Sequence, residues 1–200
     1  MCEKNGVTGP KVLAGLAQAE LAEAVAGADR LFFHAGLYSN FARDPAMVEA
    51  LETALARPTF ERLEVVSLDP VARPAYWNEF CGVLRRNMTE TALQREFSVS
   101  GSFLDALVSR HPLAMRLYLT SAMPLAPILL VGDMIYAGHY LHSPAAAPSG
   151  FWLAIPADVA DLVDRAESGA NPDALDTETT GAYRFVCECV AARNASRRLA

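Results

Sequence analysis

Apolar and polar positions along this chain change period several times, and each change marks a boundary between elements. Over residues 11–28, Val12, Leu13, Leu16, Leu21 and Val25 mark one side of an alanine-rich stretch, which predicts an amphipathic N-terminal helix. Asp29-Arg30 then leads into Leu31–Leu37, a dense apolar run suited to a strand covered on both faces. Asp44 as N-cap and Pro45 at the first helical position open a second helix, with Glu49 and Glu52 following. That helix should stop before Arg57-Pro58, because proline disfavours helical geometry in the residue ahead of it. Phe60–Leu68 reads as the next strand, closed by Asp69-Pro70.

Arg73–Arg86 and Glu90–His111 carry helical patterns, the second interrupted near Ser98–Gly101. Met115–Thr120 alternates like a strand. Residues 125–143 form two short apolar strands joined by a tight turn at Gly132-Asp133, with Gly138, His139 and His142 at the far end. Phe151–Ile155 is a further strand after the small-residue loop 143–150, and Ala157–Ala166 and Thr179–Arg198 are helices. The order is helix, strand, helix, strand, helix, four strands, helix, helix. It predicts one α/β domain over residues 1–200, a mixed β-sheet sandwiched by helices, with no repeat and no linker. The expected parts are an N-terminal helix over 11–28, a core over 29–166 and a C-terminal helix over 179–198.

Composition narrows the class of partner. At 200 residues and 52% hydrophobic, the chain can bury a sizeable core. A formal charge of −6 argues against binding driven by phosphate neutralisation, so no nucleic-acid partner is expected. Runs such as Ala126–Val131 are too short to cross a bilayer, and the first residues lack the apolar stretch of a secretory signal. The expectation is a cytoplasmic protein without membrane attachment. Cys2, Cys81, Cys187 and Cys189 are too scattered for a disulfide framework. Cys187 and Cys189 would point about 200° apart on a helix, which favours packing over a shared metal ion.

The hairpin and its surroundings resemble one half of a phospholipase D-like fold, over roughly Asp29 to Ala166. In that superfamily the motif strand carries H-x-K-x4-D, soon followed by a glycine on the returning strand. Asp133 stands at the aspartate position and Gly138 at the glycine, while Ala126 and Ile128 occupy the histidine and lysine positions. Histidine attacks phosphorus in active relatives and lysine neutralises the phosphoryl oxygens. Alanine cannot attack and isoleucine cannot stabilise an anion. The resemblance therefore implies a catalytically degenerate relative with one motif copy, acting as a ligand-binding or protein-interaction module; separately, no cofactor and no metal are expected. It further implies a homodimer through the face that active relatives use.

Some residues could still carry chemistry. His139 beside Gly138 can act as acid or base near neutral pH, and on a continuous strand it would face away from His142. His34 lies in the first strand, and Tyr38, Ser39 and Asn40 should follow its carboxyl end, where α/β sheets place ligands. Those residues suit either ligand binding or turn hydrogen bonds. Asp133 suits either catalysis or its own turn. The alternative to a degenerate module is a dimeric phosphodiesterase or nuclease using His139 with His34 and Asp133. A third reading has the end helices, 11–28 and 179–198, binding another protein. His111, Tyr76, Trp77 and Phe80 read as structural.

Overall fold

Eight strands form one mixed sheet in the computed structural model, which describes residues 9–72, 77–84, 88–140, 147–171 and 175–199. The strands are Lys11–Ala14 (β1), Arg30–His34 (β2), Arg62–Leu68 (β3), Met115–Thr120 (β4), Ile128–Val131 (β5), Met134–Gly138 (β6), Phe151–Pro156 (β7) and Arg197–Arg198 (β8). Their order across the sheet is β1-β7-β6-β5-β2-β3-β4-β8, with β2, β3 and β4 parallel to one another and every other pairing antiparallel. Parallel neighbours need crossover connections. Ser39–Ala42 (α2) and Pro45–Ala56 (α3) link β2 to β3, while Trp77–Leu84 (α4) and Glu90–Arg110 (α5) lie between β3 and β4. Leu21–Gly27 (α1), Val159–Ser168 (α6) and Thr177–Asn194 (α7) complete the helices used below.

The α/β sandwich expected from the pattern is present. Phe33, Leu63, Val65 and Leu129 pack on one sheet face with Val25 of α1, Leu51 of α3 and Leu107 of α5. Phe32, Val66, Ile128, Leu130 and Ile135 fill the other face with Leu162 of α6 and Val186 and Cys189 of α7. Alternating residues of β2 thus reach opposite cores, which is why its run reads as unbroken apolar. A third cluster sits over the carboxyl ends of the parallel strands. It joins Leu68 to Trp77, Phe80 and Leu84 of α4, Phe97 of α5 and Tyr140.

Local signals placed several helix ends well. Asp44 Oδ1 accepts from the Ala46 and Met47 N–H groups, with Pro45 next to it, and Arg57 turns extended at ψ 133° ahead of Pro58. Thr89 caps α5, Asp158 caps α6 and Asp176 caps α7. The hairpin turns at Gly132-Asp133 as expected, with Val131 paired to Met134 and Gly132 at φ +54°.

Three expectations fail. Residues 11–28 are not one helix: Lys11–Ala14 pairs antiparallel with β7, Leu16–Ala19 is a 3-10 turn, and only Leu21–Gly27 is α-helical. Gly15 at φ +106° and Glu20 at φ +47° break the continuity. Alanine-rich propensity is a weak preference, and covering the edge of β7 outweighs it. The helix over 90–110 has no interruption at Ser98–Gly101, because Leu93, Phe97, Leu104 and Leu107 anchor one buried face along its length. A glycine inside such a helix costs only about 1 kcal/mol. The last helix ends at Asn194, and Arg197–Arg198 pairs with β4 instead of extending it. The sheet consequently draws strands from both sides of the expected 29–166 core.

Candidate functional site

Register decides which candidates can meet. His34 ends β2 and is paired with Val66 of β3 and Ile128 of β5, and Ile128 is paired with Ala137 of β6. These side chains share the sheet face under α7. Ile128, at the lysine position of the resembled motif, is only 2% exposed and packs among Leu130 and Ile135. Ala126 precedes the strand. Ile128 is therefore built into an apolar core, whereas Ala126 is half-buried.

His34 is 2% exposed, and its Nδ1 has no hydrogen-bond partner among the described residues. Burial alone pushes its pKa down to about 4, so the imidazole is neutral at physiological pH. His139 lies just beyond β6, is exposed, and stacks on the Phe151 ring with centroids 5.6 Å apart and planes 18° apart. It sits two strands from His34, about 10 Å by strand spacing alone, so the two imidazoles are not within hydrogen-bonding reach. Asp133 is at the other end of β6, about 20 Å from His139 by strand rise. It lines a separate depression with Asp29, Arg30 and Glu61. His34 and His139 thus lie toward the same end of their strands without meeting, and Asp133 lies apart from both. His142 and Tyr76 fall outside the described residues.

The turn after β2 is more organised than its sequence suggests. The Tyr38 hydroxyl donates to the Val66 carbonyl at 2.9 Å, and the Tyr38 N–H donates to Ser100 Oγ at 2.9 Å. Burial raises the Tyr38 pKa well above the phenol range. Ser39 Oγ donates to Glu96 Oε2 at 2.6 Å, and the Arg43 guanidinium grips both oxygens of the same carboxylate. The hydrogen bonds of Ser39 thus go to structure. Tyr38 and Asn40 instead line a narrow apolar cavity of about 50 Å³ with Leu129, Tyr140 and Trp152, on the sheet face opposite His34. The Tyr140 hydroxyl accepts from the Gly36 N–H at 2.9 Å and so braces the cavity wall.

Several of these residues escaped sequence reasoning. Glu96 and Ser100 lie on the buried stripe Leu93–Phe97–Leu104–Leu107, and polar residues on an apolar helix face were the available signal. Glu64 is another: 1% exposed inside β3, it faces Arg30, Arg62 and Arg193 at 3.9, 3.2 and 3.3 Å. A carboxylate in a central strand marked it out. Gly138 has a packing reason, since a Cβ there would meet the Trp152 indole at 2.7 Å.

Trp77 stacks on Phe97 and Phe80 meets Tyr140 edge-on, and His111 Nε2 pairs with Glu52 at 2.8 Å. Among the described residues, no group of three or more His, Cys, Asp or Glu is placed to hold a metal ion, and no helix is long and apolar enough to cross a membrane.

No family model matches the sequence, and no curated protein matches it. Solved structures resemble it in part. One is Nuc, a phospholipase D family member from Salmonella typhimurium, at TM-score 0.49 and 12% identity over 95% of this chain and 98% of Nuc. Another is TrmBL2, an archaeal chromatin protein whose structure shows a novel mode of DNA binding, at TM-score 0.44 and 9% identity over 84% of this chain. The chain spans 53% of TrmBL2, about half its length. Net charge is a sum over the whole surface, so −6 does not in itself exclude a nucleic-acid partner.

Proposed function

We propose that this chain is a catalytically degenerate phospholipase D-like domain that binds a small apolar group in the cavity at the carboxyl end of β2. The observation that carries the reading is Ile128, buried where a reactive lysine would need to meet substrate. The separation of Asp133 from both histidines supports it. The cavity is the other half of the argument, because it lies at a strand end between two core clusters and has apolar walls. Its 50 Å³ is well below the roughly 150 Å³ of an engineered cavity that takes benzene, so it suits a short alkyl end rather than a ring.

Titration with hexanol tests this directly, followed through the Trp152 indole resonance. A saturable shift that Ala147→Phe removes, with the far-ultraviolet spectrum unchanged, is expected; a shift linear in hexanol with no saturation contradicts the site.

A homodimer is part of the proposal. Val12, 74% exposed, and Phe151, 48% exposed, lie on the sheet face that also carries His139. Two such surfaces could cover one another by a twofold axis. Light scattering should report twice the chain mass for the wild type and a monomer for Phe151→Glu. A monomeric wild type removes this part.

A further inference from the structure

Leu16, Asn40, Phe41 and Pro148 line both the inner cavity and an open groove of about 550 Å³, so the two adjoin. The groove by itself falls in the ordinary range for small-molecule sites, about 300–1,000 Å³. The two parts differ in chemistry. The inner end is closed by Leu129, Tyr140 and Trp152, and both tyrosine hydroxyls there, Tyr38 and Tyr140, are already engaged with the backbone.

The outer groove carries Glu20, Glu23 and Asp44, and among the described residues no lysine, arginine or histidine lines either part. Asp44 is held by its capping bonds to Ala46 and Met47. Glu20 and Glu23 are exposed at the start of α1. The charge of Glu20 also reaches inward: after burial, it is the second cause raising the pKa of Tyr136 on the sheet beneath.

Resting on the cavity reading above, we propose that the ligand is a small amphipathic cation, with a short alkyl end in the inner cavity and an ammonium or guanidinium group at Glu20 and Glu23. An anion would meet three carboxylates with no compensating cation among the described lining residues. A neutral ligand would use only the apolar end. A unit charge about 4 Å from a carboxylate in a water-like medium gains roughly 1 kcal/mol, or about fivefold in affinity, and salt screens it.

The test uses three six-carbon probes on the full chain at pH 7 and low salt: hexylammonium, hexanol and hexanoate, each titrated by calorimetry or indole chemical shift. Hexylammonium should bind at least threefold more tightly than hexanol, with hexanoate weakest. The advantage should shrink in 0.5 M NaCl and in Glu20→Gln/Glu23→Gln, while hexanol binds the double variant as it binds the wild type. Equal binding of all three would overturn the cation and leave the cavity standing. Failure of all three to saturate would overturn both. Equal loss of hexanol and hexylammonium in the double variant would also overturn the charge argument.

Discussion

Acid should destabilise this protein through His34. The imidazole is buried at the end of β2 with its pKa pushed down to about 4, against 6.5 for an unhindered histidine. As the pH falls below 6.5 the unfolded chain takes up a proton that the folded chain refuses, so stability declines. The decline runs at about 1.4 kcal/mol per pH unit between pH 6.5 and 4 and levels off once the folded form is protonated too. Over that window the loss amounts to about 3 kcal/mol, a large fraction of the 5–15 kcal/mol typical of a domain. The sign is fixed by the direction of the shift: the stability is present above pH 6.5 and gone below pH 4.

Carboxylates also respond to acid, and the Glu52 pKa is shifted below its ordinary value, burial pushing it up but hydrogen bonds from His111 and Arg110 pulling it down further. A difference between two proteins cancels their contribution. Urea unfolding of the wild type and His34→Leu at pH 7, 6, 5 and 4 should therefore give free-energy curves whose difference moves by about 3 kcal/mol in favour of the variant as the pH falls. Parallel curves would refute the reasoning, because they would mean that the folded protein accommodates a charged His34 as readily as the unfolded chain does.

Removing the carboxylate in Glu96→Ala leaves Ser39 and Arg43 without the acceptor they share, and should cost about 2–3 kcal/mol by urea unfolding. A change below about 0.5 kcal/mol would show that the cluster does not hold α2 to α5. Glu64→Leu removes the buried carboxylate that Arg30, Arg62 and Arg193 share while Glu167 still pairs with Arg30 and Arg193, so a loss of about 2–3 kcal/mol is expected by the same measurement. Neutral or improved stability would count against a structural role for the pair network. Gly138→Ala should cost about 1–3 kcal/mol by overpacking and move the Trp152 indole resonance, since the added methyl group meets that ring. An unmoved indole would contradict the packing.

Much of the fold was legible because local signals and burial pattern agreed. Asp44-Pro45, Arg57-Pro58 and Gly132-Asp133 each announced a boundary that the backbone respects. Where one strand meets a distant partner, the sequence was silent: Lys11–Ala14 is a strand only because β7 offers it an edge, and Arg197–Arg198 only because β4 does. The site followed the same division. That Tyr38 and Asn40 would lie beyond the carboxyl end of β2 could be read from strand order, but the cavity depends on Tyr140 and Trp152, more than 100 residues away in the chain. The isolation of Asp133 from His139 follows from β6 running its full length between them, which the hairpin pattern contained once its ends were fixed.

The most direct measurement of the central claim is hydrolysis of an activated phosphodiester, bis(4-nitrophenyl) phosphate, by the purified protein and by His139→Ala. The buried Ile128 and the separated histidines predict no turnover above the buffer rate from either protein. Release of nitrophenolate in proportion to wild-type concentration, abolished in His139→Ala, would contradict the account.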